Sequence, residues 1–246
     1  MMSHLPTVFL TAQWKYLLMA NYEVPPAILT PYLPPGTELD FKEGKTYVSV
    51  VGFRFLNTRL LGVPIPLHQN FTEVNLRFYV RRQAPEGWRR GTVFISEIVP
   101  KPAIVWVANG VYKEHYSYAP MHYDIQQDAE HLQVAYRWKK GGWNAVRAFA
   151  ENRRLPIPAG SLEEFIAEHY WGYATLGSHL TNEYGVEHPR WRYYPVINFE
   201  ATYHVSHLYG DAFEPYLSQP PASVFIADGS EVLVRKAQSF TSLTVA

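Results

Sequence analysis

Apolar and polar residues alternate with a period of two along much of the chain, which is the pattern of β-strands. Residues 46–55 carry branched and aromatic side chains at both parities, which predicts a strand that is covered on both faces. Asp228 and Gly229 lie between two apolar runs and predict a tight hairpin turn. Residues 56–70 are rich in Gly and Pro and predict a loop. Further predicted strands cover residues 7–22, 178–184, 196–206, 223–227 and 230–236.

Helical patterns are short and few. Residues 161–172 begin with Ser161 and Glu164 at capping-box spacing and carry an apolar stripe at helical period, which predicts a helix. Residues 27–33 follow two prolines that suit a helix start, and they predict a short helix. Residues 103–115 stay open between helix and strand, because their β-branched residues and an Asn-Gly step argue against a helix.

The composition is that of a globular protein with ample material for a core. The 246 residues are 47% hydrophobic and 15% aromatic, and no repeat or linker divides them. We therefore predict one α+β domain over residues 1–246, in which strands dominate.

The charge balance and the length of the apolar runs limit the kinds of partner that this protein is expected to bind. Lys+Arg and Asp+Glu are equal at 22 each, so there is no electrostatic reason to expect nucleic acid or an anionic membrane. No uncharged apolar run approaches the roughly 20 residues that span a bilayer, and we expect a soluble cytoplasmic protein. The absence of cysteine excludes disulfides, thiol nucleophiles and thiolate metal sites.

Polar side chains occupy one face of the predicted strand over residues 71–82. Glu73, Asn75 and Arg77 share this face, and the opposite face is apolar. Two interpretations stay open: the polar face meets water, or it lines a cleft or a barrel interior. The strand is predicted to form an antiparallel hairpin with residues 92–99, where Glu97 falls in the same row as Val93.

Lys101 stands between two prolines in apolar surroundings, which is unusual for a surface lysine. If it is buried, the uncharged amine is favoured, and such an amine can attack a carbonyl and form a Schiff base. Glu73 or Glu97 could then act as a general acid or base, and Arg77 could hold a carboxylate. The alternative is an exposed lysine at a strand end, or a salt bridge with Glu97.

Short motifs give no support for a metal or a cofactor. His204 and His207 are spaced so that two strand side chains do not share a face, and no HExxH pattern occurs. GxGxxG, Walker A and GxSxG patterns are also absent. We therefore expect neither a metal site nor a cofactor.

Four long blocks of sequence carry a family likeness: NYEVPPAILTPYLPPGTELD, YVSVVGFRFLNTRLLGVPIPLHQNFTEVNLRFYVRR, GTVFISEIVPKPAIVWVA and SLEEFIAEHYWGY. Together they resemble the YqjF-like family of unknown function over most of the chain. That resemblance implies the acetoacetate decarboxylase-like fold, a strongly curved antiparallel sheet or cone-like barrel with a few helices.

The resemblance to acetoacetate decarboxylases also implies roles for particular residues. Glu73 is similar in position to the acid of the decarboxylase site, and Lys101 is similar to its Schiff-base lysine. The second lysine of the decarboxylase Pro-Lys-Lys step is replaced by Pro102. The decarboxylase arginine on the first strand falls near Lys15. The implied site therefore has Lys101 and Glu73 as catalytic residues, with Arg77, Glu97, Asn75 and Lys15 as substrate-binding residues.

Three functional hypotheses follow from these observations. The first is an enzyme of the decarboxylase or lyase type, acting on a keto or β-dicarbonyl acid through a Schiff-base lysine. The second is a barrel that binds a small ligand without chemistry. The third is a structural protein whose aromatic residues are buried in a homo-oligomer. Sharing a fold does not establish sharing a reaction.

Overall fold

Strands make up most of the molecule, as the alternating pattern predicts. The computed structural model describes residues 6–111 and 113–242. The strands are β1 (Val8–Val24), β2 (Glu38–Leu39), β3 (Thr46–Leu60), β4 (Val63–Pro64), β5 (Phe71–Ala84), β6 (Gly87–Val99), β7 (Tyr116–Tyr118), β8 (Met121–Gln127), β9 (His131–Lys139), β10 (Trp143–Glu151), β11 (Leu155–Pro156), β12 (Trp171–Gly177), β13 (Leu180–Glu187), β14 (Arg192–Thr202), β15 (Ser223–Ala227), β16 (Glu231–Arg235) and β17 (Gln238–Thr241). The helices are α1 (Pro26–Leu29), α2 (Pro102–Val111), α3 (Leu162–Ala167), α4 (Val205–Tyr209) and α5 (Glu214–Leu217), with 3₁₀ turns at Thr30–Tyr32 and Asp211–Phe213.

Seven strands pair into a closed ring. Strand β1 pairs with β3, β3 with β5, and β5 with β6, all antiparallel. The ring continues through a short parallel contact between β6 and β12, and then through β13 and β16. Strand β16 pairs back onto β1 and completes the circuit. A ring of this kind leaves few unpaired strand edges and encloses an interior.

A second layer covers the outside of the ring. Strands β8, β9 and β10 form an antiparallel meander that continues into β14. Val48 and Val50 of β3 belong to the core that contains Tyr136 and Trp138 of β9, whereas Val51 and Phe53 belong to the core inside the ring. The predicted strand over residues 46–55 is therefore covered on both faces, as its pattern indicates.

Gly52 is a point of close contact between the second layer and the ring. An added Cβ at this position would lie 2.5 Å from Cδ2 of Tyr136, closer than such contacts occur. The Tyr136 ring is fully buried, and its hydroxyl donates a hydrogen bond of 2.8 Å to the carbonyl oxygen of Tyr16. A glycine is needed here because the Tyr136 ring lies directly against the backbone of β3.

A bulge in β6 changes which side chains face the interior. Leu76 is opposite Ser96, but Arg77 is opposite Phe94, so Ile95 is the extra residue. The bulge reverses the parity of β6, and Glu97 faces the interior while Val93 packs in the outer core. The prediction that Glu97 shares a row with Val93 was wrong, since simple alternation does not allow for an extra residue.

The Asp228-Gly229 step is not a hairpin turn. Strands β15 and β16 both pair with β1, one after the other, and not with each other. The N–H of Trp14 donates to the carbonyl oxygen of Ser230 at 2.9 Å, and an added Cβ on Gly229 would clash with the Trp14 carbonyl oxygen. The hairpin prediction was wrong because the apolar runs on either side continue along one neighbouring strand.

Other predicted boundaries also change, and the strand predicted over residues 196–206 ends at Thr202. Residues 56–70 are not simply a loop, because β3 continues to Leu60 and pairs with β4. The helix predicted over residues 161–172 is only α3, since Trp171 and Gly172 are taken into β12 by pairing with β6. The Ser161 side chain accepts the Glu164 N–H at 3.1 Å, as predicted for its cap. Residues 103–115 resolve as helix over most of their length, in α2.

The helices of the described residues are short. No helix within residues 6–111 and 113–242 has the length and apolar character that crossing a membrane requires.

Candidate active site

A cavity of about 270 Å³ lies inside the ring. Its lining comes from every strand of the ring and from the inward face of α2, where Ile104 and Val107 are lining residues. Most of the lining is apolar and aromatic, including Trp14, Phe53 and Trp191. The volume is close to the lower end of the roughly 300–1,000 Å³ of small-molecule pockets.

The polar face of β5 points into this cavity. Glu73 and Asn75 are each 2% exposed, Arg77 is 8% exposed, and all line the cavity. The opposite face of β5 packs against the second layer through Val74 and Leu76. Of the two interpretations of this strand, the structure supports the buried, cleft-lining face.

Three buried glutamates face the cavity together, and we call Glu73, Glu97 and Glu114 the carboxyl cluster. Asn75 Nδ2 donates to Glu73 Oε1 at 2.9 Å, and the Tyr116 hydroxyl donates to Glu73 Oε2 at 2.9 Å. The Tyr184 hydroxyl donates to Glu114 Oε1 at 2.6 Å. Within the described part of the chain, Glu97 Oε2 has no hydrogen-bond partner.

The environment of the carboxyl cluster favours the protonated acids. Burial raises the pKa of Glu73 to about 7, against the opposing effect of hydrogen bonds from Asn75 and Tyr116. Burial also raises the pKa of Glu114 to about 8, and the Tyr184 hydrogen bond opposes this rise. The pKa of Glu97 is raised well above its usual value by burial and then by repulsion from Glu114 and Glu73. Neutral carboxyl groups are therefore available near pH 7, and each can donate one hydrogen bond.

Arg77 places a positive charge in the same cavity. Its Nη2 donates to the carbonyl oxygen of Ile166 at 3.5 Å and lies 3.9 Å from Met19 Sδ. Among the described residues, no carboxylate forms an ion pair with Arg77, and its Nε has no partner. The charge of Arg77 opposes the rise that burial causes in the pKa of Glu73, but the two groups are not in contact. A buried guanidinium that contacts no carboxylate is suited to binding an anionic group.

His169 is a further cavity residue, and it lies next to the ring of Tyr79. Its Nε2 is 3.1 Å from Asp40 Oδ2, and Arg90 Nε donates to the same oxygen at 2.6 Å. Burial lowers the pKa of His169 to about 4, so the imidazole is neutral near pH 7. The sequence did not indicate this pair, because His169 falls within the helix predicted over residues 161–172 and Asp40 is 129 positions away. Glu114 was missed because it lies within residues 103–115, whose pattern is ambiguous.

The two candidate lysines are not among the cavity-lining residues. Lys101 is partly buried and immediately precedes α2, where its carbonyl oxygen accepts the Ile104 N–H at 3.1 Å. Lys15 Nζ is 3.5 Å from the carbonyl oxygen of Gly229. The structure therefore brings Glu73, Asn75, Arg77 and Glu97 together and leaves Lys101 and Lys15 outside the lining. The catalytic and binding roles of all six remain predictions.

In residues 6–111 and 113–242, no group of three or more His, Asp or Glu side chains is arranged to hold a metal ion. The chemistry open to this cavity through its own residues is proton transfer, hydrogen bonding and binding of an anion.

Solved structures share this fold. The chain is similar to the crystal structure of acetoacetate decarboxylase from Legionella pneumophila, with a TM-score of 0.64 and 14% identity, over 97% of this chain and 90% of that one. It is also similar to the enduracididine biosynthesis enzyme MppR in complex with pyruvate, with a TM-score of 0.62 and 13% identity, over 100% and 93% of the two chains. The acetoacetate decarboxylase-like fold expected from the sequence is confirmed.

Sequence similarity identifies the family of this chain. The signature of DUF2071, described as an uncharacterized conserved protein, matches residues 11–231, and the chain belongs to this family. The chain is also 28% identical over 181 residues to the uncharacterized protein YqjF of Bacillus subtilis (strain 168), covering 72% of each. The predicted likeness to YqjF is confirmed. The family is uncharacterised, and its fold is one that enzymes of the acetoacetate decarboxylase-like group use.

Proposed function

We propose that this protein is a small-molecule enzyme that carries out acid–base chemistry at the carbonyl of a keto acid. The observation that carries this proposal is the placement of a buried carboxyl cluster and an unpaired buried guanidinium in one largely apolar cavity. Titratable groups with strongly shifted pKa values in a cleft are typical of acid–base sites.

Arg77 binds the carboxylate of the substrate in this proposal. Its guanidinium presents donors in a fork that matches a carboxylate. The hydrocarbon part of the substrate packs against the apolar lining, and the carbonyl lies at the carboxyl cluster. Glu73 and Arg77 are four residues apart on β5, roughly 13 Å at the backbone, so they serve different parts of the ligand.

The carboxyl cluster activates the carbonyl by hydrogen bonding. A neutral carboxyl in an apolar site can donate to a developing enolate, and such donors stabilise the transition state. Glu97 gives its proton to the carbonyl oxygen, and ionised Glu73 takes a proton from the adjacent carbon to form the enol. For a β-keto acid, the bond to the carboxyl carbon breaks instead, CO₂ leaves, and the electron pair forms the enol. The enol carbon then takes a proton from protonated Glu73, the enol hydroxyl returns its proton to Glu97, and solvent reprotonates Glu73.

A Schiff base on Lys101 is the alternative route to the same chemistry, and it is the one that the likeness to acetoacetate decarboxylase suggests. It requires the Lys101 amine to reach the cavity, whose described lining contains no lysine. For this reason we assign carbonyl activation to the carboxyl cluster, and the Lys101→Ala variant tests the Schiff-base route. The apolar lining also favours a second function, the binding of a small ligand without chemistry.

Proton NMR in D₂O tests the proposal. Acetoacetate is followed by the appearance of acetone, and levulinate by loss of the protons next to its carbonyl. We expect both reactions to be accelerated, and Glu73→Gln and Glu97→Gln to slow them about a hundredfold. Glu231→Gln, at an exposed carboxyl outside the cavity, is the matched control.

Other results would distinguish an enzyme from a ligand-binding protein, and the carboxyl route from the Schiff-base route. Binding of both acids without acceleration would leave the ligand-binding function and overturn the enzyme. Borohydride treatment during turnover that yields a mass adduct, lost in Lys101→Ala, would replace the carboxyl route by the Schiff-base route. Turnover with no adduct supports the carboxyl cluster.

A further inference from the structure

The Asp40–His169 pair creates a fixed hydrogen-bond acceptor in the cavity wall. Asp40 also pairs with Arg90, and the hydrogen bonds from His169 and Arg90 outweigh the effect of burial and lower its pKa. An ionised carboxylate only accepts hydrogen bonds, so the proton of the neutral imidazole is on Nε2. Nδ1 therefore carries a lone pair.

The imidazole packs against two aromatic rings. Its side chain is 1% exposed, and its ring centroid is 4.7 Å from that of Tyr79 and 5.1 Å from that of Phe165. Within the described residues, Nδ1 has no hydrogen-bond partner. A buried acceptor without a partner destabilises a fold, so this atom is suited to a ligand that brings a donor.

Arg77 lies close to this acceptor. Both side chains lie against Tyr79, with Arg77 Cζ 5.7 Å from its ring centroid. Arg77 Nη2 is also bonded to Ile166, three residues before His169. The neighbouring side chains of Arg77 and His169 both line the cavity, and they carry an unpartnered donor, Nε, and an unpartnered acceptor, Nδ1.

We propose that His169 Nδ1 accepts a hydrogen bond from a hydroxyl on the carbon next to the carboxylate that Arg77 binds. The substrate class is then an α-hydroxy acid whose reacting carbonyl lies further along the molecule, at the carboxyl cluster. An oxo group next to the carboxylate is disfavoured, because its lone pairs would face the lone pair of Nδ1. Asp40 is a positioning residue that fixes the tautomer. This inference rests on the proposed function for its carboxylate-binding Arg77.

Calorimetric titration of the full chain with three matched probes tests the inference. The probes are hexanoate, α-hydroxyhexanoate and α-oxohexanoate. We expect the hydroxy acid to bind about tenfold more tightly than hexanoate, the gain typical of one buried hydrogen bond, and the oxo acid to show no gain. In His169→Leu the hydroxy preference disappears while hexanoate still binds; in His179→Leu, at an exposed histidine, it is unchanged.

The ratio of two dissociation constants within one variant is insensitive to a general loss of folding. For Asp40→Leu, the hydroxy preference falls, and the ¹⁵N spectrum of His169 changes from one tautomer to a mixture. Equal affinities of hexanoate and the hydroxy acid, or a preference that survives His169→Leu, would overturn the inference alone. Hexanoate binding that is unaffected by Arg77→Met, or no binding of any probe, would overturn the carboxylate site and this inference with it.

Discussion

Replacing Glu114 by Gln should change how the stability of the protein depends on pH. In the folded protein the pKa of Glu114 is raised to about 8 by burial, from an ordinary value of 4.5. Between these values the folded state keeps a proton that the unfolded state has released. The stability that this group contributes is therefore complete below pH 4.5 and is lost as the pH rises through about 8.

The magnitude follows from proton linkage. One extra proton held by the folded state changes the free energy of unfolding by about 1.4 kcal/mol per pH unit. Between pH 6.5 and pH 8, Glu114 alone should thus cost about 2 kcal/mol of stability. His169 acts in the opposite sense between its lowered pKa of about 4 and its ordinary 6.5, so the window above pH 6.5 isolates the carboxyl cluster.

Urea unfolding at half-unit intervals of pH measures the effect. The wild-type protein should lose stability from pH 6.5 to pH 8, and Glu114→Gln should lose about 2 kcal/mol less. Gln keeps an oxygen that can accept the Tyr184 hydroxyl, so the hydrogen bond survives the change. Glu231→Gln, which removes an exposed carboxyl, should run parallel to wild type. A wild-type curve that is flat or rising in this window would refute the reasoning, as would an unchanged slope in Glu114→Gln.

Two further predictions concern the scaffold. Gly52→Ala should lower the free energy of unfolding by about 1–3 kcal/mol, because its Cβ would lie 2.5 Å from the buried Tyr136 ring. Gly177→Ala, where an added Cβ meets nothing within 4 Å, is the control, and equal losses in urea unfolding would contradict the prediction. Ser161→Ala should cost about 1 kcal/mol in the same assay, since its side chain accepts the Glu164 N–H at the start of α3. A cost near zero would show that the cap does not stabilise the fold.

The parts of the fold that sequence could predict are those set by local pattern. Strand β5 and the polar row on one of its faces follow from a period of two that its pairing with β3 preserves. The bulge at Ile95 could not be predicted, because one extra residue has no local signature and changes the facing of Glu97. The Asp228-Gly229 step has the composition of a turn, and only its pairing partner, β1, decides that it is not one.

The candidate site also contains some residues that the sequence could place together and others that it could not. Glu73, Asn75 and Arg77 are neighbours on one strand, and a strand pattern places them together. Asp40 and His169 meet only in the folded chain, and no spacing rule connects residues 129 positions apart. Lys101 stood out through its apolar sequence neighbours, yet burial depends on the packing of α2, which those neighbours do not determine.

The ring has a consequence for the order in which the protein acquires its cavity during synthesis. Strand β1 takes its second neighbours from β15 and β16, more than two hundred residues later. A nascent chain that has not yet supplied residues 231–235 cannot close the ring, and its interior glutamates remain in contact with water. Until then, these carboxyls are ordinary ionised side chains. The proton uptake of the carboxyl cluster is thus coupled to the pairing of the last strand of the ring.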